Sequence, residues 1–195
     1  NGPAGYFEND NFATGSFELA KEISNIYDKE KAALVILETT ATDTADDQPL
    51  FTNISKLFFR GEGGWGGDRG PVDKVVFPDR EPDDTVSYET RIDQALLYRL
   101  NGDRNPLHSD PSFAALGGFP KPILHGLCTY GFTGRGLVHL ICDGDPHSFK
   151  SMDGRFSSPV IPGETLTINV WNDGGVYKFK TFAGDRIVLD NGVMA

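Results

Sequence analysis

Cysteine is scarce: only Cys128 and Cys142 occur among 195 residues. The pattern places both on one helix, where fourteen positions (142 − 128) at ~1.5 Å rise separate them by about 21 Å. That is too far for a disulfide between them, and the expectation is a reduced, intracellular chain. Long hydrophobic runs are also missing. No stretch approaches the ~20 apolar residues of a membrane-spanning helix, and no basic-then-apolar segment opens the sequence. Positive charge is in deficit, with 18 basic against 28 acidic side chains and a net charge of −10. General binding to DNA or RNA needs the opposite balance, although a local basic patch can still hold an anionic ligand. The 38% hydrophobic content is enough for a folded core, which excludes disorder as a default. Asn53-Ile54-Ser55 matches a glycosylation sequon and, in a reduced chain, reads as chance.

What is present begins with β-rich alternation at 16–24, 33–42 and 50–60, separated by turns at 28–31 and 43–49. Gly61-Glu62-Gly63-Gly64-Trp65-Gly66-Gly67-Asp68-Arg69-Gly70-Pro71 follows. It contains G-x-G-x-x-G, but a nucleotide-binding loop must open a helix, and here the chain runs into a Pro- and Asp-rich stretch. The better reading is a flexible linker over 61–84, between a unit at 1–60 and a larger one at 85–195.

A short helix is expected next, capped by Thr90 with Asp93 three residues on, carrying Ile92, Leu96 and Leu100 on one face and ending at Gly102. Asp110-Pro111 is a good start for another. A long apolar-periodic helix is expected over 123–142, with Ile123, Leu127, Tyr130, Gly134, Leu137/Val138 and Ile141 on its buried face. Strands are expected at 155–160, 165–171, 176–183 and 186–193, with turns at Pro162-Gly163 and 173–175. A long helix followed by antiparallel strands implies an α+β domain in which the sheet wraps the helix.

Between two of these helices lies the chemistry. Asp103-Arg104-Asn105-Pro106-Leu107-His108 sets a carboxylate, a carboxamide and an imidazole in a loop stiffened by Pro106 and pinned at both ends. An acid/base pair held in this way suits proton transfer on a small substrate. A metal site built from Asp103, His108, Asp110 and His125 is disfavoured. No recognised ligand spacing such as H-E-x-x-H occurs, and Asp110 serves better as a helix cap. His125 is expected to orient its turn or to lie beside a ligand.

The run Tyr98 to Ala114, with Pro122-Ile123-Leu124-His125-Gly126-Leu127-Cys128-Thr129-Tyr130-Gly131, resembles the hydratase 2 motif. That motif marks the (R)-specific 2-enoyl-CoA hydratases, which include the hydratase domain of peroxisomal multifunctional enzyme type 2 and related MaoC-like dehydratases. The similarity continues through Gly154-Arg155-Phe156 and Pro162-Gly163-Glu164-Thr165-Leu166. Tyr27-Asp28-Lys29 and residues 61–70 resemble the first repeat of two-repeat members. The resemblance implies a hot-dog fold, an antiparallel sheet wrapped around a long central helix. A partial second hot-dog repeat precedes it at the N-terminus. It also implies a hydro-lyase that reversibly hydrates trans-2-enoyl-CoA to (3R)-3-hydroxyacyl-CoA in fatty acid β-oxidation or related acyl-CoA metabolism. No cofactor is implied, the CoA thioester being the substrate.

Carried over residue by residue, Asp103 and His108 activate one water, Asn105 helps to hold the site, and the backbone N–H of Gly126 binds the thioester oxygen. Lys29, Arg104, Pro106, Leu107 and Phe156 fall at substrate-contact positions. Arg99, Arg104, Lys121, Lys150 and Arg155 are candidates for contacting the CoA phosphates. A homodimer follows from the same resemblance, in the peroxisomal matrix if the source is eukaryotic and the cytoplasm if bacterial. Two rival functions use the same fold: a dehydratase on acyl-carrier-protein or polyketide intermediates, and a non-catalytic acyl-CoA-binding module. The family pattern breaks at the N-terminus, where 17–60 resembles only the later strands of a repeat, without its helix. An open apolar sheet face is therefore expected there, and the acyl-chain preference stays open.

Overall fold

A computed structural model of the chain describes residues 16–71 and 74–195. The first fifteen residues of the expected N-terminal repeat, and positions 72 and 73 of the expected linker, lie outside the described residues. By contacts the chain divides into two compact units, Asn1–Val72 and Asp73–Ala195.

The first unit is an antiparallel meander of β1 (Phe17–Asp28), β2 (Ala32–Asp43) and β3 (Pro49–Arg60), with β2 in the centre. The alternation marked these strands, but β1 runs beyond 24. A register shift between Ile23 and Asn25 lets pairing with β2 continue to Asp28. Directly paired residues share a face, so Leu19, Ile23 and Ile26 line up with Ala41, Leu37 and Val35, and across β2 with Leu57 and Phe59. Leu19, Ile23, Ile26 and Phe59 remain exposed. This is the open apolar face expected of a sheet with no helix among the described residues of its unit.

The glycine-rich segment after β3 is not the free tether expected. Asp28 is buried, and its carboxylate accepts N–H groups from Glu30 (2.8 Å), Gly64 (2.8 Å), Gly66 (2.7 Å) and Gly67 (3.3 Å). Those bonds, that from Gly64 foremost, hold the carboxyl below the usual aspartate range. Residues 61–70 thus wrap a buried anion, a constraint that glycine content alone does not reveal.

The second unit contains β4 (Asp84–Glu89), α1 (Gln94–Tyr98), α2 (Pro111–Leu116), α3 (Gly126–Ile141), β5 (Met152–Phe156), β6 (Thr165–Asp173), β7 (Val176–Ala183) and β8 (Arg186–Met194). Its antiparallel sheet has the order β4-β6-β7-β8-β5, and α3 packs against β4 and β6. This is the expected hot-dog arrangement. Leu137 and Cys142 meet Ile168, Val170, Phe179, Leu189 and Met194 in one buried cluster. Leu124 and Cys128 meet Val160, Leu166, Ala183 and Val188 in another. Full burial of each large side chain contributes roughly 1.5–3 kcal/mol, so these clusters hold α3 to the sheet. Both cysteines are buried free thiols, and no helix among the described residues is long and apolar enough to cross a membrane.

Several local expectations change. β4 was not foreseen; it exists through its pairing with β6, where Val86 faces Ile168. Thr90 does not cap a helix, because its hydroxyl donates to the Glu164 carbonyl at 2.8 Å and ties the end of β4 to the loop before β6. α1 is a single turn that buries only Ala95, which leaves Ile92 and Leu100 88% and 81% exposed. α3 begins at Gly126 rather than 123, and it turns Cys128, Thr129, Thr133, Gly136 and Leu137 inward while Leu127 stays 64% exposed. Small residues face the sheet because the helix lies close to it. A Cβ at Gly136 would sit 3.1 Å from Val86 and 3.3 Å from Ile168. β5 ends at Phe156, and residues 157–160 become a loop.

Candidate active site

The loop from Asp103 to His108 is shaped by its own backbone. The turn Arg99–Asn101 ends at Gly102 in a left-handed conformation, φ +111°, as expected. The Asn105 amide donates to the Asp103 carboxylate at 3.2 Å, and the Asn105 side chain accepts from the Leu107 amide at 3.0 Å. Pro106 opens the 3-10 turn Pro106–His108, where its missing N–H costs nothing. Asp110 caps α2 by accepting from Ser112 (2.7 Å) and Phe113 (3.2 Å). Asn105 and Asp110 thus help to shape the loop.

Facing this loop is the extended segment 123–125, which precedes α3. His108 Nδ1 lies 2.8 Å from the Ile123 carbonyl oxygen. A carbonyl only accepts, so Nδ1 carries a hydrogen, and in the neutral ring Nε2 presents a lone pair. His125 Nε2 lies 3.2 Å from the Asp103 carbonyl oxygen, and the His125 ring stacks on His108 with centroids 3.8 Å apart. Side-chain atoms of Asp103, His108 and His125 all fall within 4.8 Å of one another. The donor types would suit a metal, but the ring planes lie only 27° from parallel. Imidazole lone pairs lie in the ring plane, so two stacked rings do not converge on one ion.

Next to His108 is a cavity of about 310 Å³, walled by Phe119, Ile123, Leu124, Val160 and Val188, with Gly126 and Phe156 at its lining. Gly126 is the first residue of α3, so its N–H has no acceptor within the helix. The helix dipole adds partial positive charge at this end. A Cβ on Gly126 would lie 3.2 Å from the Phe156 ring, which would have to give by a few tenths of an ångström to admit it. An apolar cavity thus counts His108 and the helix-opening Gly126 among its lining residues, and its low-polarity walls strengthen any hydrogen bond made there.

The fold brings together Asp103, His108, Asn105, Gly126 and Phe156. Pro106 and Leu107 shape the loop, and Leu107 packs towards Gly117. Arg104, Arg99, Lys121, Lys150 and Arg155 are exposed. Lys29 belongs to the first unit, where its ammonium donates to the Arg69 and Pro71 carbonyls. Sequence reasoning placed His125 near the turn but missed its contact with both Asp103 and His108. Its only signal was a histidine immediately before the helix-initiating Gly126. Tyr98, whose ring centroid is 4.8 Å from that of His125, was missed in the same way.

The MaoC-like domain matches residues 74–190. This chain belongs to the MaoC-like dehydratase family. An enoyl-CoA hydratase of Mycobacterium tuberculosis is 52% identical over 161 residues, which cover 83% of this chain and 56% of the relative. A probable enoyl-CoA hydratase 2 of Dictyostelium discoideum is 45% identical over 92% of this chain and 63% of its own length. The full-length peroxisomal multifunctional enzyme type 2 of Drosophila melanogaster superposes with a TM-score of 0.77 at 38% identity. That match covers 95% of this chain and 35% of the fly protein. The chain therefore spans less than two thirds of these relatives. The match at 74–190 contains the Asp103–His108 loop, Gly126 and Phe156, and excludes the first unit.

Proposed function

We propose that the protein hydrates trans-2-enoyl-CoA thioesters, reversibly, to (3R)-3-hydroxyacyl-CoA. The observation that carries this reading is the gathering of an Asp103 carboxylate oxygen and a His108 ring nitrogen within 4.8 Å of one another, with His108 and the helix-opening Gly126 both lining the apolar cavity. An ionised carboxylate and a lone-pair imidazole nitrogen are both acceptors. A water donating one hydrogen to each turns its own lone pair outward, towards the substrate β-carbon. As the new C–O bond forms, the C=C π bond breaks and negative charge moves to the thioester oxygen. There the Gly126 N–H and the α3 dipole stabilise it. One water proton passes to the Asp103/His108 pair, and one proton returns from the pair to the α-carbon, so the pair ends with the protons it began with. The acyl chain occupies the apolar cavity against Phe156. The relatives' names support the same chemistry, and the buried free thiols suit a reducing compartment such as the cytoplasm or peroxisomal matrix.

The test is incubation of the protein with trans-2-butenoyl-CoA while the absorbance of the conjugated enoyl thioester is followed. The expected result is a catalytic fall in absorbance to an equilibrium with the hydroxyacyl thioester. A folded protein that binds the thioester without any fall would favour the non-catalytic binding module instead.

A further inference from the structure

His125 is 1% exposed, yet the proposed reaction assigns it no step. Its Nε2 faces the Asp103 carbonyl oxygen at 3.2 Å, so Nε2 carries the hydrogen in the neutral ring. Its Nδ1 is buried and has no hydrogen-bond partner. One ring contact is with His108, 3.8 Å between centroids, and another is with Tyr98, at 4.8 Å. Protonation of Nδ1 would create a cation with an unpaired N–H among apolar groups and against a second imidazole. Burial, opposed by the bond to Asp103, accordingly holds this imidazole below its ordinary basicity. The ring is therefore a fixed neutral donor on one edge and a flat platform on one face.

We infer that His125 is the positioning residue of the site: its Nε2–H anchors the main chain of Asp103 while its ring face seats His108. A single side chain thereby sets the spacing between the two acceptors that hold the water. The inference rests on the reading that Asp103 and His108 activate water, and it adds the part that keeps them in register. Segment 123–125 acts as a jig: Ile123 fixes the tautomer of His108, and His125 fixes its distance from Asp103.

Two substitutions separate the contributions. His125→Phe keeps a ring for stacking and removes the donor, whereas His125→Gln offers an amide donor in place of Nε2–H and removes the stack. Both are compared with wild type for kcat and KM on trans-2-butenoyl-CoA, for thermal midpoint, and for the ¹³C shift of the Asp103 carbonyl. The expected result for His125→Phe is a folded protein with kcat lowered at least ~10-fold, the scale of a small misplacement of catalytic groups. KM should stay within about twofold and the Asp103 carbonyl signal should move. His125→Gln should recover part of the kcat loss. Unchanged kcat in folded His125→Phe, a loss confined to KM, or an unmoved Asp103 carbonyl would overturn the inference. Should His125→Phe not fold, His125→Gln tests the stack alone: a lowered kcat with the Asp103 carbonyl signal near its wild-type position is expected, and an unchanged kcat would overturn the inference. An inactive wild type would instead sink the hydratase reading, and the Asp103 carbonyl shift would still decide the role of His125.

Discussion

The ring of His125 lies on the ring of His108, centroids 3.8 Å apart and planes 27° from parallel. That contact places the two histidine-bearing segments of the motif, seventeen positions apart in sequence (125 − 108 = 17), on a common footing. Around it, four successive residues divide the work. Ile123 accepts from His108, Leu124 is buried with its amide on the Val160 carbonyl at 2.7 Å, His125 holds Asp103, and Gly126 begins α3. The Asp103–His108 loop is held by a short extended segment that is itself bolted to the core.

The first prediction concerns the acceptors. Asp103→Asn replaces an acceptor with a group that also donates, and His108→Phe removes the Nε2 lone pair. Each should lower kcat for hydration of trans-2-butenoyl-CoA at least ~100-fold, the usual scale for acid–base groups. Asp103 is exposed, so the thermal midpoint of Asp103→Asn should stay close to wild type. Steady-state kinetics with parallel calorimetry check both.

The second concerns crowding at Gly126, the proposed oxyanion donor. Gly126→Ala sets a methyl 3.2 Å from Phe156, which must then retreat. Its activity should fall, and adding Phe156→Ala should restore part of it. A double-mutant cycle on kcat/KM should therefore show coupling beyond additivity. Phe156→Ala alone enlarges the cavity and should shift preference towards longer acyl chains.

The third concerns a buried hydroxyl pair. Thr133 and Thr181 are fully buried, with hydroxyls 2.8 Å apart, and Thr133 also donates to the Thr129 carbonyl at 3.0 Å. Thr181 must therefore be the donor in the pair. Thr133→Val strands that donor and should cost about 1–3 kcal/mol, whereas Thr181→Val leaves Thr133 still bonded and should cost less. Urea titration of the two variants measures the difference, and equal costs would refute the assigned direction.

The fourth concerns pH. The Asp28 carboxyl is held below the usual aspartate range by backbone N–H groups, that of Gly64 foremost. A depressed carboxyl contributes stability that is fully present above its unfolded value and disappears as pH falls through the folded one. The first unit should therefore weaken below about pH 4 in wild type. Asp28→Asn should be weaker at neutral pH and less sensitive in that acid range. Hydrogen exchange of the Gly64 and Gly66 amides reads this locally.

Strands β1–β3 and β6–β8 were legible because period-2 alternation is a local signal, and so were the Gly102 terminus and the Asp110 cap. β4 was not, because Thr85–Tyr88 is short and is held by partners eighty positions away, as in the Ser87–Thr167 hydroxyl contact. The inward face of α3 was misread for a related reason. Apolar periodicity ranks residues by size and hydrophobicity, while close helix–sheet packing selects small ones such as Gly136 and Thr133. The glycine-rich 61–70 stretch looked like a tether because its anchor, Asp28, lies more than thirty positions upstream. At the site, Asp103 and His108 stood out as an acid/base pair in a stiff loop, and Gly126 through the resemblance to the hydratase 2 motif. The role of His125 depends on a ring stack and a carbonyl contact, and neither exists until the chain is folded.

We propose that Asp103 and His108 hold one water for addition to an enoyl thioester at the Gly126 amide. Chiral analysis of the product from trans-2-butenoyl-CoA is the decisive measurement of that claim, with wild type and Asp103→Asn run side by side. The claim predicts (3R)-3-hydroxybutanoyl-CoA alone from wild type and almost none from the folded variant. The (3S) or racemic product, no product from wild type, or equal yields from both proteins would contradict it.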